Sequence, residues 1–201
     1  MTSSPIPVVL ASTSAARVAL LTAAGVSFQT LAPGVDEAMA KASLQGEGAS
    51  PREVADALAE LKAVRASSRT EGLVIGADQT LDLGGRLIDK AESLDEARAR
   101  LQALRGRSHR LHSAVVVARG GEPIWREVAT ATLTMRPFSD DFLEGYLERQ
   151  GGAALGSVGC YQLEGEGAQL FTRIDGDYFA ILGLPLLSLL DLLRRHGALP
   201  I

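Results

Sequence analysis

The stretch VVLASTSAARVALL, Val8 to Leu21, decides the class of this chain. Its leading residues, Val8–Ala11, are apolar and β-branched at the start, which predicts a short buried strand. The run then breaks into Ser12, Thr13 and Ser14, and apolar side chains return with helical spacing at Val18, Leu20, Leu21 and Ala24. Ser14 is placed to cap that helix and Gly25 to stop it. A strand that hands over to a helix through small hydroxyl residues presents backbone N–H groups at the positive end of a helix dipole, which suits an anion. Arg17, one turn in, adds charge-assisted donors of the kind phosphate oxygens accept. Neither the P-loop nor the dinucleotide-binding glycine fingerprint is present. The same residues equally describe a plain cap at Ser14 followed by a solvated arginine.

Outward from this stretch, strands and helices are mixed. Val26–Leu31 alternates like a strand and leads through Pro33-Gly34 to Val35-Asp36-Glu37. GEGAS, residues 46–50, predicts a flexible loop. Pro51 and Glu53 open a helix reaching about Ser67, with Val54, Leu58 and Leu61 on its apolar stripe. Leu73–Ala77 predicts a second buried strand ending at Asp78, and Leu81–Ile88 a hairpin around Gly84-Gly85. Ser93–Leu104 predicts a helix, and His109–Ala118 with Glu127–Met135 a pair of strands joined by a Gly120-Gly121 turn. Ser139 caps a helix to Gln150; further strands fall near Tyr161 and over Leu170–Ile174, and Leu184–His196 is a leucine-rich helix. With no repeat or linker, the pattern predicts an α/β fold with a mixed sheet, residues 1–201 forming one domain or a compact pair of lobes.

The 201 residues are 46% apolar, enough to close a core, and their net charge of −4 provides no global basic field for a nucleic-acid polymer. An anionic ligand therefore needs a local positive site. The one cysteine, Cys160, fits a reducing cytosol and a buried packing role rather than a nucleophile. No apolar run approaches the roughly 18 residues of a membrane span. The first residues show no basic segment followed by a signal-type apolar core, so a cytoplasmic protein is expected. His109 and His112 lack the cysteine or acidic partners that a zinc site needs.

Chemistry concentrates around Asp78, in GLVIGADQTLDL, residues 72–83, where a charged side chain directly follows an apolar strand. Active-site groups of open α/β sheets gather at the carboxyl ends of strands. A carboxylate there can accept a proton from water or hold a divalent metal; it can also simply turn the chain before the hairpin. Glu37 offers a second carboxylate. Lys41, Lys62 and Lys90 are the only lysines among 20 basic residues, and two of them flank Asp78 in the chain. A solvated helix face is the alternative for Lys62.

With these residues in hand, the chain resembles the Maf family of nucleoside triphosphate pyrophosphatases over nearly its whole length. Leu10–Arg17, LASTSAAR followed by Leu20-Leu21, is similar to the family's LASxSPRR and LL. Further matches are VDE at Val35–Glu37, Lys62-Ala63, Gly76-Ala77-Asp78-Gln79 with Lys90 twelve residues on, Leu104–His109, and the block from Gly159 to Leu186 with EGEGAQLF, IDGDY and GLPL. The resemblance implies a Maf/ITPase-like fold: a mixed twisted sheet flanked by helices in an elongated, two-lobed single domain with a central cleft. It implies hydrolysis of a nucleoside triphosphate to monophosphate and pyrophosphate with a divalent cation, Mg²⁺ or Mn²⁺, a house-cleaning activity. Asp78 is then the proton acceptor for water, with Lys90 and Glu37 beside it. Ser12, Ser14, Ala16, Arg17, Lys62, Gln79 and Glu164 stand at substrate-binding positions, and Glu37 and Asp78 at metal-binding ones. Crowding by Glu37 is expected to make Asp78 a better base.

The departures bear on the substrate. Ala15-Ala16 replaces the usual Pro-Arg, and Ser157 stands where many members have lysine. Gln79 and Glu164 are more similar to the branch acting on 7-methyl-GTP than to the dTTP/UTP branch. A carboxylate can accept from the N1–H and N2–H₂ edge of guanine, whereas uracil offers one donor. A guanine-type or modified triphosphate is expected, with the dTTP/UTP type as the alternative. Two other classes compete: a nucleotide-binding regulator of cell division without turnover, and a nucleotidyltransferase, whose first loop is more glycine-rich. No membrane or nucleic-acid polymer is expected as partner, and a homodimer is left open.

Overall fold

The computed structural model describes residues 6–200; residues 1–5, part of the stretch read for a leader, and residue 201 lie outside them. The opening stretch folds as its pattern dictates. Val8–Ala11 forms β1, buried at every position, and Ala15–Ala23 forms α1 behind the Ser14 cap. β1 pairs in parallel with β2 (Gln29–Thr30) on one side and β3 (Leu73–Leu83) on the other. β3 then runs antiparallel to β5 (Ser108–Arg119), β5 to β6 (Glu122–Met135), and β6 to β7 (Phe171–Asp175). The short β4 (Arg86–Ile88) folds back onto β3 through the Gly84-Gly85 turn, where both glycines have positive φ. The result is a seven-stranded mixed sheet in the order β2-β1-β3-β5-β6-β7.

Helices flank this sheet, and their starts are written in the sequence. Ser50 and Glu53 form a reciprocal capping box with Pro51 in the first turn of α3 (Pro51–Ser67). Ser93 caps α4 (Leu94–Leu104) and Ser139 caps α5 (Asp140–Gln150). Ala55, Ala59 and Ala63 let α3 lie close against Ala114, Val116 and Ala118 of β5. The approach is closest at Gly76 of β3, where a Cβ would fall 2.3 Å from the Ala59 carbonyl oxygen. The short α6 (Tyr178–Ile181) and α7 (Leu186–Arg195) complete the set, α2 (Glu37–Gly46) lying between β2 and α3. Two apolar clusters dominate: one joins β1, α1 and α7 through Leu10, Leu21, Leu189 and Leu193, the other joins α4, α5 and β6 through Leu101, Leu104, Leu133 and Tyr146.

Several elements differ from the pattern-based expectation, among them β6, which starts at Glu122 rather than Glu127 because β5 pairs with it there, and α6, which the pattern does not predict. β2 is reduced to two residues, and Tyr161 lies in irregular chain between the 3₁₀ segments Gly151–Gly156 and Glu166–Leu170, not in a strand. Residues 37–46 are helical although GEGAS implied a loop from residue 46 onward and nothing regular before it; α2 has no buried residue, so it shows no core stripe to read. β3 does not end at Asp78 but continues to Leu83, because β5 pairs with it as far as Asp82. That continuation creates the opening that matters. On its other edge β3 is covered by β1 up to Gly76 and by β4 from Leu81 onward. Residues 77–80 between them have no neighbouring strand on that edge, and a cleft enters the sheet there.

Candidate active site

The cleft, about 810 Å³, is lined from many parts of the chain, chiefly the turn into α1, one face of α2, Lys62 of α3, the gap in β3, the Asp89–Glu92 segment, and the loops at 156–164 and 181–183. Asp78 and Gln79 point to opposite faces of β3, as consecutive strand residues must. Both nevertheless line the cleft, because the missing neighbour strand exposes β3 from its edge.

Asp78 is buried, and its Oδ1 accepts from the Lys62 ammonium at 2.7 Å. Lys62, also buried, reaches it from α3 and makes a second ion pair with Glu37 Oε2 at 2.8 Å. The two carboxylates therefore do not crowd each other directly; an ammonium stands between them. A buried ammonium without such partners would be strongly disfavoured, so the three groups hold one another in place. Each carboxylate keeps an oxygen outside this bridge. Two hard oxygen donors, completed by phosphate oxygens and water, are what a Mg²⁺ ion takes, so the residues fit a divalent cation. Among the described residues no three His, Cys, Asp or Glu side chains gather to hold a metal by themselves.

Beside this bridge, where the neighbouring strand β1 ends, lies the turn into α1. The Ser12 hydroxyl oxygen accepts from the Ser14 amide at 3.2 Å and from Arg17 Nη1 at 3.3 Å, which leaves its proton to donate outward. Arg17 is buried, and its Nε donates to the Gly183 carbonyl at 2.9 Å. Burial pushes the guanidinium pKa down, opposed by the nearby charges of Asp78 and Glu37. Lys90, after β4, is likewise lowered, first by loss of water around the ammonium and then by repulsion from Arg17. Among the described residues neither Arg17 nor Lys90 has a carboxylate in ion-pair contact, in contrast to Lys62. Two cations short of counter-charge, a helix N-terminus and free hydroxyl protons make this wall an anion acceptor.

The remaining expected positions also reach the cleft. Gln79 Nε2 donates to Ser113 Oγ and to the Ala180 and Ile181 carbonyls, so Oε1 is the part of that amide left to accept. Glu164 is exposed on the 156–164 loop that also lines the cleft, and Ala16 contributes a methyl group. Ser157 is spent internally: its hydroxyl donates to the Tyr161 carbonyl and accepts from the Tyr161 amide. Cys160 is wholly buried and burial pushes its thiol pKa up, as befits packing rather than nucleophilic chemistry.

Reading the sequence missed several cleft residues. Lys41 lines the cleft from α2 and pairs with Asp89 at 2.5 Å. Its signal was the scarcity of lysine alone. Gly183, through its carbonyl, and Tyr161, which lines the cleft and hydrogen-bonds buried His109 at 2.6 Å, had no local signal, since their partners are distant in sequence. The sequence reading also missed an acidic neighbour: His112 Nε2 lies 3.4 Å from Asp82 Oδ2, a pair brought together by the β3–β5 register, although no group of three potential metal ligands forms there among the described residues.

Residues 7–196 match the family described as "Maf-like protein". A nucleoside triphosphate pyrophosphatase of Caulobacter vibrioides is 66% identical over 97% of this chain and 98% of its own length. One of Granulibacter bethesdensis is 54% identical over 96% and 98%. A 7-methyl-GTP pyrophosphatase of Rhizobium meliloti is 50% identical over 95% of this chain and 96% of its own.

Proposed function

The chain belongs to the Maf-like protein family, and from that premise we propose that its cleft hydrolyses a nucleoside triphosphate to the monophosphate and pyrophosphate. It is a hydrolase acting on acid anhydrides, and residues 1–201 are read as one domain. The observation that carries the site assignment is the gathering of two kinds of group in one cleft: Arg17 and Lys90, without carboxylate ion-pair partners among the described residues, and Asp78 and Glu37 joined on Lys62.

In this reading the triphosphate lies along the turn into α1, beside Arg17 and Lys90. Ser12, Ser14 and Arg17 hold its phosphate oxygens, and Lys90 with Lys62 draws charge from the leaving pyrophosphate. Asp78 accepts a proton from water as that water's oxygen bonds to the α-phosphorus and the bond to the bridging α–β oxygen breaks. Lys62 fixes the carboxylate's direction. Glu37 and Asp78 would hold a divalent cation, Mg²⁺ or Mn²⁺, which when bound neutralises charge on the phosphate oxygens.

The base is read as guanine-type, 7-methyl-GTP being the leading candidate. Gln79 Oε1 and the Glu164 carboxylate are acceptors, and the guanine edge offers N1–H and N2–H₂ donors to them. Two relatives carry the 7-methyl-GTP name. Turnover of a panel of canonical and methylated triphosphates with Mg²⁺ or Mn²⁺ tests both levels. Asp78→Asn should lower kcat by about two to four orders of magnitude. Binding without pyrophosphate release by the wild type would favour a regulator instead. Faster turnover of dTTP or UTP than of any guanine nucleotide would reject the base assignment.

A further inference from the structure

On α2, Glu37, Ala38, Lys41, Ala42 and Gln45 recur at helical spacing and all five line the cleft, yet the helix buries no residue in the protein. A helix face turned to a large opening rather than to a core presents its polar side chains to whatever fills the opening. Lys41 is the cation on that face. Its ammonium sits 2.5 Å from Asp89 Oδ1, the residue before Lys90, and the Asp89 side chain is 53% exposed. The Lys41 side chain is 26% exposed, so the pair is half open to water on the aspartate side only. Such a pair contributes modestly, and the four-carbon lysine stem can turn between partners. A polyphosphate in the cleft offers several negative charges on adjacent oxygens, against the single charge of Asp89. The lysine is thus parked on a weak carboxylate beside the wall assigned to phosphate.

We propose that Lys41 is a further polyphosphate-binding residue, held by Asp89 until a triphosphate takes over its ammonium. The assignment rests on the reading of the cleft as a nucleoside triphosphate site. Its consequence is directional: removing Lys41 removes a substrate contact, whereas neutralising Asp89 removes a competitor.

Steady-state kinetics of Lys41→Gln, Asp89→Asn and the double variant test this, together with calorimetric titration of inorganic tripolyphosphate. Lys41→Gln should raise KM and weaken tripolyphosphate binding about tenfold, with kcat within about threefold. Asp89→Asn should lower KM and tighten tripolyphosphate by about two- to threefold, and this gain should vanish in the Lys41→Gln background. A pair that merely latches α2 would make both single variants worse, and exchanging the two residues, Lys41→Asp with Asp89→Lys, would restore binding; either result overturns the proposal. So does unaltered tripolyphosphate binding in Lys41→Gln. If tripolyphosphate binding depends on Lys41 but the wild type hydrolyses no triphosphate, the Lys41 assignment is supported and the hydrolase reading fails.

Discussion

Arg17 shows how much a single side chain carries here. Its guanidinium gives one N–H to the Gly183 carbonyl and another to Ser12, tying the loop before α7 to the turn before α1 while keeping a buried positive charge at the cleft. A lysine keeps the charge but cannot form that fork. Arg17→Lys is therefore expected to raise KM about tenfold and to lower stability by about 1 kcal/mol, read from kinetics and urea unfolding. Cys160 is the opposite case, a side chain with no outlet. Its buried, raised-pKa thiol should react with a thiol reagent orders of magnitude more slowly in the folded protein than in urea; rapid modification of native protein would contradict this. Both residues are visible in the sequence as types. Only Arg17 had a local signal for its role, because a cation one turn into a helix after small hydroxyl residues is a short-range pattern.

At the scale of elements, α3 against β3 is the contact that aims Lys62 at Asp78. Gly76 lies under the helix with no room for a methyl group: a Cβ would sit 2.3 Å from Ala59 O and 2.4 Å from Ala63 N, both backbone atoms that cannot swing aside. Gly76→Ala should lift α3, destabilise the fold by about 2 kcal/mol or more, and reduce kcat because Lys62 sits one position from the displaced Ala63. Full activity in that variant would show that the helix position is not what orients the lysine. The helix has a second, milder handle at its start. Ser50→Ala breaks the capping box with Glu53 and should lower stability by about 1 kcal/mol while leaving kcat unchanged, since that end is remote from Lys62. The start of α3 was legible because capping is local. The reason for glycine in Gly-Ala-Asp was not, because the atoms that demand it belong to another element.

For the whole molecule, acid is the informative stress. His109 is buried against Tyr161 and Phe171, and burial lowers its pKa from 6.5 to about 4. His112, also buried, is lowered in the same direction, first by burial, with Asp82 opposing. Between pH 6.5 and 4 the unfolded chain binds protons at these sites that the native state refuses, so stability rises with pH through that window. It is present in full above the unfolded value and lost as pH falls. For His109 the loss is on the order of 3 kcal/mol. Urea midpoints measured from pH 7 to 4 should fall, and His109→Gln should flatten the slope even where its stability at pH 7 is lower. A slope unchanged in that variant would remove His109 as the cause.

Strand, turn and helix over Val8–Leu21, the caps at Ser50, Ser93 and Ser139, the hairpin at Gly84-Gly85 and the α/β class are all properties of near neighbours in the chain, and the amino-acid order by itself determines them. The candidate residues could be named from their types and from family resemblance. Their assembly is another matter. That Asp78 lies inside a long strand and is still reachable depends on where β1 stops and β4 begins, two edges set by pairings far apart in sequence. That Lys62 bridges two carboxylates, that Arg17 is buried against Gly183, and that α2 turns Lys41 to the cleft follow from contacts between distant segments. Local pattern encodes hydrogen bonds and periodicity within a few residues, whereas charge pairing and the shape of a cleft arise only when the core closes and brings remote side chains within a few ångströms.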